Sequence, residues 1–181
     1  ATVMQLDSSA LGGTQTVTQF DSADGETTFM IQSGAYIYVG VNSHPAQIIR
    51  SPADPSANLP IETITLAMDE VFPKSAIVDA DAGMLIVGLL YTSPARVVMI
   101  HLDPFERFCG HSLSSVEGIQ TMALDNVYST MYVGVANSVP AEIVRVRLDE
   151  LYGPKSLATT AIILRDLIPD PHTISWDLGD S

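Results

Sequence analysis

Apolar and polar residues alternate along this chain in stretches of five to eight residues, the period of a β-strand whose two faces meet different surroundings. The clearest stretch, Tyr36-Ile37-Tyr38-Val39-Gly40-Val41, recurs as Met84-Leu85-Ile86-Val87-Gly88-Leu89 and as Thr130-Met131-Tyr132-Val133-Gly134-Val135, placing the Val-Gly pairs 48 and 46 residues apart. A Pro-Ala pair follows each one: Pro45-Ala46, Pro94-Ala95 and Pro140-Ala141. Another alternating stretch comes next, at 47–50, 96–102 and 142–148, and the last two end in Leu-Asp, as does 2–7 at the N-terminus. Ahead of each Val-Gly stretch lies a further element, at 28–32, 75–79 and 121–125, with a fourth copy at 173–177. The remaining slot holds 14–20, 61–66, 108–113 and 157–164. Val, Ile, Thr and Tyr fill these slots, and Gly, Pro, Asp, Asn or Ser bound most of them, which is strand chemistry with turn punctuation. No segment keeps apolar residues at i, i+3, i+4, i+7 over three turns. Residues 144–151 come nearest to a helix, but they match two strand-like copies. The pattern predicts an all-β chain.

Four strands per repeat of about 46 residues is the period of a β-propeller blade. The predicted architecture is a β-propeller, or a segment of one, as a single repeat region over 1–181 with blade fragments at 1–20, 27–66, 74–113, 120–164 and 172–181. The first strand of a blade lines the central channel, so it is expected to be the most uniformly apolar, as Phe29-Met30-Ile31 and Ala76-Ile77-Val78 suggest. The glycine of each Val-Gly pair is expected to admit a neighbouring blade closely. Pro52, Pro55 and Pro60 make 46–60 a degenerate copy with a broken third strand.

The copies Ile86-Val87-Gly88 … Ser93-Pro94-Ala95-Arg96-Val97-Val98-Met99-Ile100 and Met131-Tyr132-Val133-Gly134-Val135-Ala136-Asn137 resemble the YVTN type of β-propeller repeat. They are more similar still to its "YVGT…SPGRVVKI" variant, found in large extracellular and cell-surface proteins of protists. The resemblance covers nearly the whole chain and speaks to fold more than to function. The chain departs from it in carrying Ala where the variant has Gly after the Pro. The resemblance implies an extracellular or cell-surface location.

Read this way, the chain opens on a third strand and closes on a first strand, giving fifteen slots where four blades would have sixteen. Two expectations follow. Either the chain is a window on a longer propeller, of about seven blades as is usual for such repeats, or its ends complete a blade with another copy, giving head-to-tail self-association through exposed strand edges. The absence of an initiator Met fits a mature or excised form.

Composition narrows the partners. The 181 residues are 46% hydrophobic and 16% charged, too apolar for intrinsic disorder. Eight Lys and Arg stand against 21 Asp and Glu, a net charge of −13, which repels phosphate backbones and argues against nucleic acid and anionic membranes. No apolar run approaches the ~20 residues of a membrane helix, and the first residues do not read as the basic, apolar, small-residue pattern of a leader. A single cysteine, Cys109, excludes an internal disulfide and is expected to be a small packed side chain, or else an intermolecular bridge in a secreted protein. No N-x-[ST] sequon occurs, so N-linked glycan is not expected.

The candidate site is the aligned set Asp79, Asp125 and Asp177, with Gln32 in the fourth copy, at the ends of the predicted innermost strands. Carboxylates gathered at a channel mouth would suit a hard cation such as Ca²⁺, which takes six to eight oxygens, and Asp81 adds to one copy. The simpler reading is that each Asp accepts backbone N–H groups and starts a hairpin turn. Gly110-His111-Ser112-Leu113-Ser114 approaches the G-x-S-x-G nucleophile motif, but it lacks the closing Gly and falls in an outer strand, so it is not read as catalytic. His44, His101, His111 and His172 sit at no metal-ligand spacing. Arg50, Arg96, Arg145 and Arg147 recur in the strand after Pro-Ala and are expected to pair with acids of an adjacent blade. The expected function is a non-catalytic structural or interaction module, an extracellular scaffold or filament-forming propeller with protein or glycan partners and no cofactor. The alternative is a lactonase-like or other hydrolytic propeller enzyme with a divalent cation at the channel mouth.

Overall fold

The computed structural model describes residues 2–5, 16–19, 25–113, 118–135, 142–152 and 160–163. These form β1 (Thr2–Gln5), β2 (Thr16–Gln19), β3 (Glu26–Ser33), β4 (Tyr36–Asn42), β5 (Gln47–Pro52), β6 (Glu62–Thr65), β7 (Pro73–Asp79), β8 (Met84–Leu89), β9 (Ala95–His101), β10 (Glu106–Leu113), β11 (Ile119–Asp125), β12 (Thr130–Val135), β13 (Glu142–Arg147), the one-turn helix α1 (Leu148–Leu151) and β14 (Thr160–Ile163). The chain is all-β. Every strand lies in a slot marked by the alternation; the slot at 173–177 lies outside the described residues.

Each strand pairs antiparallel with its neighbour in the chain. β1 and β2 form a pair, β3–β6 form sheet I, β7–β10 sheet II and β11–β14 sheet III, each a meander in chain order. Short turns suffice for such connections, and Gly34 and Gly83 supply positive φ at two of them. The segment 144–151 divides between strand and helix. It stays extended to Arg147 and then makes a single turn, whose first N–H, from Leu148, reaches the Ser129 carbonyl at 2.9 Å. The third strand of sheet I is not broken by its prolines. β5 pairs with β4 as far as Tyr36↔Pro52, and Pro55 and Pro60 fall in the loop that follows, where no ladder N–H is needed.

The three sheets pack face to face, with β3 beside β7 and β7 beside β11. Tyr38 and Ile48 of sheet I meet Leu85, Val87, Val98 and Ile100 of sheet II. On the opposite face of sheet II, Ile86, Val97 and Met99 meet Met131, Val133, Val144 and Val146 of sheet III. Strand β8 therefore sends alternate side chains into two cores and is buried at all six positions. This corrects the expectation that the first strand of each repeat is the most buried. In β3 only intermediate and exposed positions occur, and Met30 is 57% exposed. The reason is topological: β3, β7 and β11 are edge strands, whereas β8 has a paired strand on each side and a covering sheet on each face.

One local device recurs in all three sheets. A β-bulge interrupts the first strand at Thr27/Phe29, Pro73/Ser75 and Ile119/Thr121, and the residue after it faces the glycine of the Val-Gly pair: Phe29↔Gly40, Ser75↔Gly88 and Thr121↔Gly134. The glycines leave room for different neighbours. A Cβ on Gly88 would lie 2.6 Å from Ile119 Cγ2 of sheet III, the close approach of another sheet that the sequence suggests, whereas on Gly40 and Gly134 it would strike Phe29 and Thr121 of the same sheet.

Candidate functional site

The acidic residues at the ends of the first strands are held by their own turns. Asp79 is 8% exposed, and its Oδ1 accepts the Ala82 N–H at 3.1 Å. Its Oδ2 accepts the Tyr152 hydroxyl at 2.6 Å, so the carboxylate links sheet II to the residue following α1. Burial first, then the neighbouring Asp79 charge and hydrogen bond, push the Tyr152 phenol far above its ordinary range. Asp125 Oδ1 accepts the N–H groups of Val127 and Tyr128 at 3.0 and 3.1 Å, the turn-capping geometry of an Asx motif. Asp177 lies outside the described residues. Gln32 does not share the register of the two aspartates. Counting from the aligned glycines, Asp79 faces Met84 and Asp125 faces Thr130, while in sheet I that place belongs to Ser33, opposite Tyr36. Gln32 is one step off and projects from the other face of β3. Among the described residues, no three His, Cys, Asp or Glu side chains are grouped to hold a metal ion.

Polar chemistry concentrates instead at the junctions between sheets. Arg50, from β5, is 8% exposed. Its Nε donates to Glu62 Oε2 at 2.8 Å, its Nη2 meets the same oxygen, and its Nη1 donates to the Leu102 carbonyl in the β9–β10 turn. The guanidinium lies between two rings, 4.6 Å from the centroid of Tyr36 and 4.7 Å from that of Phe105. Such stacking suits a planar, weakly hydrated cation. One side chain thereby holds the turn of sheet II against the face of sheet I.

A second ionic group covers the same face of sheet II. The linker from β6 to β7 contains Glu70, which is fully buried. Arg107 grips it with both arms, Nε to Oε2 at 2.9 Å and Nη2 to Oε1, and the Ala67 N–H donates to Oε2 at 3.0 Å. Arg96 Nη2 stands 3.4 Å away, while its Nη1 donates to Asp69 at 2.5 Å. The bare backbone of Gly110 makes the space, since a Cβ there would sit 2.8 Å from Glu70 Oε1. Burial alone would raise the Glu70 carboxyl, but the Arg107 hydrogen bonds, the Ala67 N–H and the charges of Arg107 and Arg96 outweigh it and hold the group below its ordinary value. The arginines expected to pair between blades thus differ in their partners: Arg50 within its own sheet and across the junction, Arg96 to the linker, and Arg147 to Asp149 two residues on.

Five residues after each repeat proline stand Arg50, Met99 and Arg145. Register confirms the equivalence, because Arg50 faces Tyr38 and Glu62, Met99 faces Ile86 and Cys109, and Arg145 faces Tyr132 and Thr160. Where sheet I carries an ion pair, sheet II therefore carries a thioether opposite a thiol. Cys109 Sγ lies 3.7 Å from Met99 Sδ and 3.3 Å from His111 Nε2. Burial raises the thiol, the Arg107 charge lowers it by less and the Glu70 charge adds to the rise, and burial lowers His111. The sequence offers a signal for this group, Cys and His two apart on one strand, but Met99 joins them only across the ladder. Gly110, His111, Ser112 and Leu113 all lie within β10, without the strand-to-helix turn a nucleophile elbow needs. His44 lies in the β4–β5 loop, His101 packs against the Phe108 ring at 4.7 Å, and His172 lies outside the described residues.

No helix among the described residues is long and apolar enough to cross a membrane. Comparison with protein-family models and with curated proteins finds no match to the chain in either.

Proposed function

We propose that the chain is a stretch of β-propeller whose four-stranded sheets are blades, and that it serves as a non-catalytic structural and interaction module of the extracellular or cell-surface kind implied by YVTN-like repeats. One observation carries this reading: the buried polar side chains Arg50, Glu70 and Asp79 are each engaged in tying one sheet or linker to the next. Groups so engaged build a stiff array rather than a reactive centre. The lateral run of β3, β7 and β11 fits innermost blade strands, and repetition of one unit gives the broad, rigid surface that binding scaffolds use. Its partners meet loops and strand edges, a second copy of the chain foremost.

Sedimentation of the purified chain over a range of concentrations, with electron microscopy of the particles, tests this. The expected outcome is an assembly that grows with concentration beyond the 19.4 kDa of one chain, with no saturable hydrolysis of lactones in the presence of Ca²⁺. A monomer at every concentration overturns self-association. Saturable lactone hydrolysis that is lost in Asp79→Asn overturns the non-catalytic reading in favour of a hydrolytic propeller.

A further inference from the structure

We propose that Cys109, Met99 and His111 form a binding site for a soft monovalent metal ion of the Cu(I) class, set between β9 and β10 on the face of sheet II that meets sheet III. Cys109 already stands near ligand spacing from each of the other two donors. An ion bonded to sulfur at about 2.3 Å and to imidazole nitrogen at about 2.0 Å holds its ligands roughly 3.5–4 Å apart; Met99 Sδ, 3.7 Å from Cys109 Sγ, lies within that range, and His111 Nε2, at 3.3 Å, needs only a small outward shift to enter it. Thioether, thiolate and imidazole are the donors that favour Cu(I) over hard cations. The surroundings select for charge as well. Met99 is fully buried within a cluster of Val, Ile, Leu and Met side chains, and there a monovalent ion with one thiolate is neutral overall. A divalent ion would leave a net positive charge in an apolar setting, which is costly. Cys109 and His111 are only partly buried, so an ion can reach the donors from solvent. Sheet I, with Arg50 and Glu62 at the equivalent places, offers no such set.

Binding exchanges one bond for another. The Cys109 S–H bond breaks, its proton passes to solvent, and a metal–sulfur bond forms. Copper delivered as Cu(I) undergoes no change of oxidation state.

The test uses the full chain under anaerobic conditions, with Cu(I) supplied as its bicinchoninate complex and Ag(I) as a redox-inert probe. One equivalent of each is expected to bind, with Zn(II) far weaker. Cys109→Ser should abolish binding. Met99→Leu and His111→Gln should each weaken it by at least the ~10-fold that loss of even an outer-shell partner costs. Met99→Leu nearly conserves volume, so it decides the matter if Cys109→Ser does not fold, and a melting curve of each apoprotein checks folding. Unchanged Cu(I) affinity in Met99→Leu would mean that the thioether is not a ligand, and it overturns the three-donor site. So does Zn(II) binding as tightly as Cu(I), or the absence of binding by either probe.

Discussion

Glu70 offers the sharpest test of how the sheets are joined. Replacing it with Ala leaves Arg107 without its two-armed partner and Arg96 without a neighbouring charge, and it vacates the space over Gly110. Breaking a fully buried ion pair costs roughly 3–5 kcal/mol. Here the carboxylate is fully buried, but the side chains of Arg107 and Arg96 keep 31% and 24% of their exposure. Both guanidiniums can therefore rehydrate once released, which places the cost near the lower end, about 3 kcal/mol. At about 2–4 °C per kcal/mol for a chain of this size, the melting temperature should fall by roughly 6–12 °C. Glu70→Gln separates charge from shape. Because the folded-state carboxyl is held below its ordinary value, its contribution is fully present above the unfolded value, about 4.5, and is lost as pH falls through the lowered folded one. The gap between wild type and Glu70→Gln, measured by urea denaturation, should thus be widest near neutral pH and close in acid. A melting temperature of Glu70→Ala within about 2 °C of wild type, or a Glu70→Gln gap of constant size from neutral pH into acid, would refute the reasoning.

Three further substitutions address other contacts. Gly88→Ala should destabilise by about 1–3 kcal/mol through overpacking, because the new Cβ meets Ile119 Cγ2 at 2.6 Å and Met122 Sδ at 3.1 Å; a double-mutant cycle with Ile119→Ala should show the two changes to be non-additive. Tyr152→Phe should cost roughly 1–3 kcal/mol, since the buried Asp79 loses a donor. The raised Tyr152 value means that the wild-type advantage is complete below about pH 10 and declines as pH rises towards the folded value, so alkaline melting curves of the two proteins should converge. Arg50→Lys, which keeps the charge but cannot fill the gap between Tyr36 and Phe105, should lower stability by about 1–2 kcal/mol, a shift of several degrees by differential scanning fluorimetry.

The strands were legible because alternation and the Val-Gly and Pro-Ala anchors are local signals, carried within a few residues of each slot. Burial was not legible in the same way. Phe29-Met30-Ile31 reads as more apolar than its setting, because only pairing shows that β3 is an edge and β8 an interior strand. Glu70 was hidden for a related reason. Its linker reads as a polar connection between elements, and nothing local in Asp69-Glu70-Val71 shows that Arg107, 37 residues onward, closes over it. Asp79 and Asp125 were recognisable as turn residues, yet the Tyr152 bond to Asp79 spans 73 residues. Gln32 was misplaced because the sheet I hairpin has two fewer turn residues than its counterparts, so aligning by sequence slips one register step.

The contrast between Arg50 and Met99 at one equivalent place bears on how the chain reaches its native state. Arrays of similar units are prone to join wrong neighbours while folding, since each sheet presents almost the same apolar face to every other. An arginine that needs the Phe105 ring and the Leu102 carbonyl finds them only on the turn of sheet II, and a buried Met99 tolerates no charged substitute opposite it. The face that sheet I turns to sheet II thus differs from the face that sheet II turns to sheet III, which disfavours exchange of the two. The order of the sheets is thus written in their contacts as well as in the chain that connects them.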